Sequence, residues 1–287
     1  MVTISAHGIV AQADNDAQVI ALWIYGRSPH TQRAYRANAK RLLALTGKNT
    51  ADISLGDIHA FADSLSCLAQ SSRAQALEAI KSLLAFAHRI GYIPFNPAPA
   101  LQLPKPKNTL AERILHESEV HRMIDLEPSQ RNRLILKTLY YGGLRVSELC
   151  GLRWRDLSSR GEQGQITVFG KGEKTRAVLL PASLWRDLLD LRCRAGNVDD
   201  PVFGSRLNSR QLHPSQVLRI VRAAFVRAGI GKKVSPHWLR HAHASHSLDR
   251  GAPIHLVQAT LGHASVATTG RYLHARPTES SGKYLAG

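Results

Sequence analysis

Residues 165–180 read QITVFGKGEKTRAVLL. Two runs rich in β-branched residues, 165–169 and 175–180, flank the turn Gly170-Lys171-Gly172-Glu173-Lys174, a pattern that predicts an antiparallel pair of strands. Around them the apolar spacing is helical. Helices are predicted at about 117–126, 129–141 and 145–151 ahead of the pair. Behind it they are predicted at about 183–195, 213–228, 236–249, 253–261 and 265–272. The C-terminal part is therefore expected to be mainly α with a small antiparallel β-sheet.

Upstream lies PFNPAPALQLPKP, residues 94–106, with five of the chain's thirteen prolines. Proline removes amide donors and biases the preceding residue towards extended backbone, so this stretch reads as a linker. Before it no alternating strand is visible and four helices are predicted. The first spans about 15–25. The second opens at Ser28-Pro29, a cap followed by proline at the first helical position, and runs to about Thr46. The third, near 55–65, follows a capping box of Ser54 with Asp57. The fourth, about 71–90, carries Leu77, Ile80, Leu84 and Ala87 on one stripe and stops at Gly91. The expected organisation is a flexible N-terminus (1–14), a helical domain (15–93), a proline-rich linker (94–110), a mixed domain (111–275) and a tail (276–287).

The 287 residues suffice for two domains, and no apolar run is long enough to span a bilayer. The N-terminus lacks a basic segment followed by an apolar one, so a cytoplasmic location is expected. Cys67, Cys150 and Cys193 are odd in number and far apart, which argues against a disulfide framework and for small buried apolar residues. The net charge of +17 points to a polyanionic partner, first of all nucleic acid. Residues 105–287 hold 29 basic and 15 acidic side chains, against 9 and 6 in residues 1–104, so the C-terminal part carries most of the field. Arg33, Arg36, Lys40 and Arg41 on the second helix, with Lys105 and Lys107 in the linker, are further candidates for phosphate contacts.

In YYGGLRVSEL, Arg145 and Glu148 stand three apart at a helix start, where the carboxylate can orient a guanidinium fork suited to two phosphate oxygens. Lys171 sits between two glycines at the hairpin tip and can deliver a proton. In SPHWLRHAHASHSL, His237 and Arg240 share a helix face that suits phosphate. The rival there is zinc on His237, His241, His243 and His246, which the absence of HExxH and the divergent helix faces oppose. LGHASVATTGRYLH then places His263 in a turn and Tyr272 nine residues on.

Read together, Arg145, Lys171, His237, Arg240, His263 and Tyr272 follow in one order at intervals of 26, 66, 3, 23 and 9. In this the chain resembles the tyrosine recombinases, most closely the compact Xer-type enzymes and simple phage-like integrases, over about residues 15–275. The resemblance implies that these six residues form an active site for site-specific DNA recombination without cofactor or metal. It assigns Tyr272 as nucleophile forming a 3′-phosphotyrosyl link, and Lys171 as the acid protonating the leaving 5′-oxygen. The two arginines would neutralise the phosphoryl oxygens, His237 and His263 would donate to them, either imidazole could help deprotonate Tyr272, and Glu148 would support. It further implies a two-domain DNA clamp. A homotetramer on double-stranded DNA, or a heterotetramer with a related recombinase, would be linked by docked C-terminal tails. An activating DNA translocase is a possible partner, no membrane is involved, and the location would be the nucleoid. GRYLH in place of a polar-residue-Tyr-Thr-His ending, and only fifteen residues after Tyr272, depart from the family pattern. Type IB topoisomerase-like relaxation and a non-catalytic DNA-binding regulator are the alternatives.

Overall fold

In the computed structural model, which describes residues 12–103, 109–170, 175–192, 197–205, 211–231 and 234–273, the chain divides into two units, residues 1–107 and 108–287. In the first, local signals set the helix ends. The helix α1 (Asp16–Ile24) is capped by the Asn15 side chain, which accepts from the Gln18 amide. In α2 (Pro29–Thr46) Ser28 accepts from the Thr31 amide and Pro29 takes the first position, where a missing N–H costs nothing. The α3 helix (Leu55–Ser64) starts with the Ser54–Asp57 capping box, and Lys48 pairs with the same Asp57. The α4 helix (Gln70–Arg89) buries its stripe of Leu77, Ile80, Leu84 and Ala87 against Trp23, Leu42 and Phe61. Asp16 ties the unit together by accepting from the Thr50 amide and the Tyr92 hydroxyl. Within the proline-rich stretch, Ala98 and Leu101 are buried in this core, and Lys81 donates to the Leu101 carbonyl.

The second unit contains α5 (Glu117–Asp125), α6 (Gln130–Tyr141) and α7 (Val146–Gly151), then β1 (Leu157–Arg160), β2 (Gln163–Phe169) and β3 (Thr175–Leu180). It continues with α8 (Ala182–Arg192), α9 (Pro214–Arg227), α10 (His237–Asp249), α11 (Ile254–Leu261) and α12 (Val266–Gly270). The sheet is antiparallel in the order β1-β2-β3, so it has three strands where two were expected. The strand β1 reads LSSR and buries only Leu157; it owes its extension to pairing with β2, Leu157 opposite Ile166, and not to any alternation of its own. Ile166, Val168, Val178 and Leu180 turn inward onto the core formed with α6, α8 and α9. Leu110, Ile114, Ala244, Val257, Leu261 and Tyr272 form a separate small cluster.

Cys150 is buried as expected, but Cys67 is exposed, because it falls in the turn after α3 and not on a helix face. Cys193, Lys105, Lys107, Lys171 and the tail beyond Leu273 lie outside the described residues. Among the described residues no helix is long and apolar enough to cross a membrane.

One position tests how tightly sheet and helix pack. A Cβ at Gly164 in β2 would stand 2.4 Å from Cε3 of the buried Trp185 on α8. Gly164→Ala is expected to destabilise the second unit by about 1–3 kcal/mol through overpacking, read as a lowered melting temperature. Gly56→Ala, in α3 with only its own cap at 3.6 Å, should be neutral or stabilising. Equal melting temperatures for Gly164→Ala and the parent chain would refute the packing.

Candidate active site

The start of α7 sets the first half of the site. Arg145 is the N-cap residue, and its own amide donates to Glu148 Oε2 at 2.7 Å while its guanidinium Nη1 donates to Glu148 Oε1 at 2.8 Å. Glu148 is nearly buried and also accepts from both Nη atoms of Arg176 on β3, at 2.9 and 2.8 Å. Burial alone would raise its pKa. The hydrogen bonds from Arg176 and Arg145 outweigh that and bring it down to about 2, so the carboxylate is ionised at neutral pH.

Helix α10 brings the second half. Arg240, 4% exposed, donates from Nη1 to the Gly143 carbonyl at 2.6 Å and from Nη2 to the Leu261 carbonyl at 2.5 Å. Gly143 has φ +57°, and a Cβ there would lie 2.9 Å from both His243 Cδ2 and Leu261 Cδ2, so only glycine permits the approach. Burial, then the Arg145 charge, lowers Arg240 to about 10, which leaves it cationic at neutral pH. His237, the first residue of α10, lies exposed in the same cleft, its pKa lowered by desolvation and by Arg240 and Arg145.

The turn after α11 supplies His263. Gly262 caps that helix in left-handed conformation (φ +64°), and a Cβ on it would press on the Arg176 guanidinium at 3.1 Å. His263 Nδ1 is 2.9 Å from Thr269 Oγ1, and its ring stacks on that of Tyr272 with 3° between the planes. Burial and then the nearby arginines Arg240, Arg145 and Arg176 lower His263 to about 4, so it is neutral. Tyr272 follows α12 and is 5% exposed; burial raises its pKa against the opposing pull of Arg240 and Arg271.

Five of the six expected residues, Arg145, His237, Arg240, His263 and Tyr272, therefore line one cleft of about 290 Å³. Lys171 lies outside the described residues. Its described flanks, Gly170 and Thr175, line an adjoining cleft of about 850 Å³ shared with Arg145, Glu148, Arg176 and His263.

The imidazole in contact with the Tyr272 hydroxyl is His241, Nδ1 to Oη at 2.7 Å, and neither His237 nor His263. The sequence signal for it was the i,i+4 spacing from His237, which places both rings on one face of α10. Burial, followed by His237, lowers His241 to about 4, so it too is neutral. The remaining histidines of that run are structural. His243 donates from Nδ1 to the Tyr140 carbonyl at 2.8 Å, and His246 donates from Nε2 to the Leu115 carbonyl while its Nδ1 meets the Tyr140 hydroxyl. Among the described residues no group of three or more His, Cys, Asp or Glu is placed to hold a metal ion. Arg176 was also missed; its signal was an arginine in the inward phase of β3, two residues before Val178.

Residues 113–279 match the phage integrase family, and residues 20–91 match the phage integrase N-terminal SAM-like domain. A tyrosine recombinase of Pseudothermotoga lettingae is 36% identical over 258 residues, covering 86% of this chain and 88% of the relative. Tyrosine recombinase XerC of Myxococcus xanthus is 34% identical over 271 residues, 86% of this chain and 87% of the relative. Among solved structures, that of XerH site-specific recombinase bound to palindromic difH substrate in a post-cleavage complex has a TM-score of 0.76 at 21% identity, covering 96% of this chain and 85% of that one. A lambda integrase tetramer bound to a Holliday junction gives 0.75 at 19%, covering 94% and 80%. These two share the fold, and the sequence matches carry the kinship: the chain belongs to the phage integrase family of tyrosine recombinases.

Proposed function

We propose that the cleft lined by Arg145, His237, Arg240, His263 and Tyr272 is the active site of a site-specific DNA recombinase. The observation that carries this reading is their convergence, from four separate segments of the chain, on one opening beside two cationic guanidiniums. A phosphodiester resists a nucleophile because its own charge repels attack. Catalysis therefore needs cations where charge gathers on the nonbridging oxygens. Arg145 and Arg240 supply them, and His237 and His263 add hydrogen bonds.

Tyr272 Oη attacks the scissile phosphorus; the Oη–P bond forms and the P–O5′ bond breaks. Lys171 gives its proton to the leaving 5′-oxygen, and the neutral His241, whose Nδ1 lies 2.7 Å from Oη, takes the tyrosyl proton. The resulting 3′-phosphotyrosyl link keeps the bond energy, so a 5′-hydroxyl from a partner strand reverses the step without ATP. Each step uses the chain's own cations.

The exposed Arg33, Arg36 and Lys40, spaced at 3 and 7 along α2, support reading residues 15–93 as a core-binding domain, with residues 111–275 as the catalytic domain and both contacting double-stranded DNA. The working form on DNA is a tetramer of this chain, or of this chain with a related recombinase, assembled by docked tails and open to activation by a DNA translocase. Its place is the nucleoid in the cytoplasm. The task is resolution of chromosome or plasmid dimers, the role that the Xer-type resemblance implies, with element integration and excision as the second use of the same chemistry.

Tyr272→Phe should bind duplex normally and form no covalent adduct on a nicked single-site substrate; a denaturation-resistant adduct from this variant would remove Tyr272 as nucleophile. Strand exchange between two marked sites should proceed, where a topoisomerase would only relax supercoils. EDTA should leave cleavage intact, and loss with rescue by zinc or magnesium would defeat the metal-free mechanism. Duplex affinity should fall at least about 100-fold between about 50 and 200 mM salt; a flat response would refute a phosphate-binding surface.

A further inference from the structure

Arg176 occupies an inward-facing register of β3, in phase with the buried Val178 and Leu180, where an apolar side chain would be expected. Its side chain is only 12% exposed. A guanidinium in such a place is tolerated when its donors are satisfied, and here all three nitrogens are used: Nε donates to the Thr260 carbonyl at 2.7 Å, and Nη1 and Nη2 donate to the two oxygens of Glu148.

Glu148 has about four lone-pair sites, and all are filled. Oε1 accepts from Arg145 Nη1 and Arg176 Nη1, and Oε2 from Arg176 Nη2 and the Arg145 amide. Because Arg176 takes the paired, fork-on-carboxylate geometry, Arg145 is left with a single side-chain bond to the carboxylate, and its Nη2 makes only a long one, 3.4 Å, to the Gly262 carbonyl. Its side chain is 37% exposed and lines the cleft that holds Tyr272. Without Arg176, the more favourable bidentate pair would be available to Arg145, which would turn its fork inward, away from a bound phosphate. Arg240 on α10 and His263 after α11 feel the charge of both arginines, and His237 feels that of Arg145. The Thr260 bond places the Arg176 head directly beneath the Gly262–His263 turn.

We propose that Arg176 is a positioning residue for DNA cleavage: by occupying half of the Glu148 carboxylate and the end of α11, it holds the Arg145 fork open towards the scissile phosphate. This rests on the reading of Arg145 as a phosphate-binding residue. Arg176 itself touches no substrate; it acts through Glu148.

The test is single-turnover cleavage of a nicked single-site duplex at saturating full-length protein. Arg176→Met is expected to slow adduct formation about 100-fold while changing duplex affinity less than about threefold. On the same duplex with a neutral methylphosphonate at the scissile position, less charge remains for Arg145 to offset, so the deficit should shrink to under about tenfold. Arg176→Lys keeps the charge and loses the fork; it guards against misfolding of the Met variant and should show the same pattern with a loss of about tenfold. Melting curves without DNA establish that each variant is folded. An unchanged cleavage rate, an equal deficit on both substrates, or a loss of binding in step with cleavage would overturn the proposal. Absence of any adduct from the parent chain, or an adduct from Tyr272→Phe, would instead defeat the active-site reading beneath it.

Discussion

The buried guanidinium of Arg240 is the constraint around which the second unit is arranged. Withdrawing a charge that cannot be shed from water costs several kcal/mol unless its donors find partners. The Gly143 and Leu261 carbonyls provide them, both at the C-terminal ends of helices, where carbonyls would otherwise be left unsatisfied. One side chain of α10 thereby anchors the turn between α6 and α7 and the C-terminus of α11. Those are the two places from which Arg145 and His263 emerge, so the bonds that stabilise the buried cation also fix the geometry of the site.

The electrostatics follow from how unevenly the neighbours answer that charge. Three arginines, Arg145, Arg176 and Arg240, gather near the Glu148 carboxylate, whose low pKa keeps it ionised. His241 and His263 are held near 4, chiefly by burial, and remain neutral, so they add hydrogen-bonding capacity without adding charge. The local excess of positive charge is what a phosphoryl group accumulating negative charge requires, and it is present before any ligand arrives. Tyr272 stays protonated in this setting, its pKa raised by burial and its hydroxyl bonded to His241. The nucleophile is thus stored in an unreactive form beside the groups that favour its ionisation.

Much of the fold was legible because its determinants are local. Ser28-Pro29 and the Ser54–Asp57 box start helices through contacts within four residues, and the Leu77–Ile80–Leu84–Ala87 stripe is a matter of helical period. The edge strand β1 was not legible, since LSSR has no alternation and its extension comes from β2. Cys67 was misread because composition says nothing of a turn's exposure.

The sequence by itself determined the order and spacing of Arg145, Lys171, His237, Arg240, His263 and Tyr272, the helices that carry or flank most of them and the basic charge that suits DNA, because these depend on residue type and short-range periodicity. Tertiary structure alone decided that His241 is the imidazole on Tyr272 and that Arg176, 28 residues from Glu148, shares its carboxylate with Arg145. It also decided that Gly143 must lack a side chain for Arg240 to reach its carbonyl. Each of these is a contact between segments distant in sequence, set by how α10 packs on α6 and α11 and how β3 meets α11, and no local pattern encodes the distance at which two such segments meet.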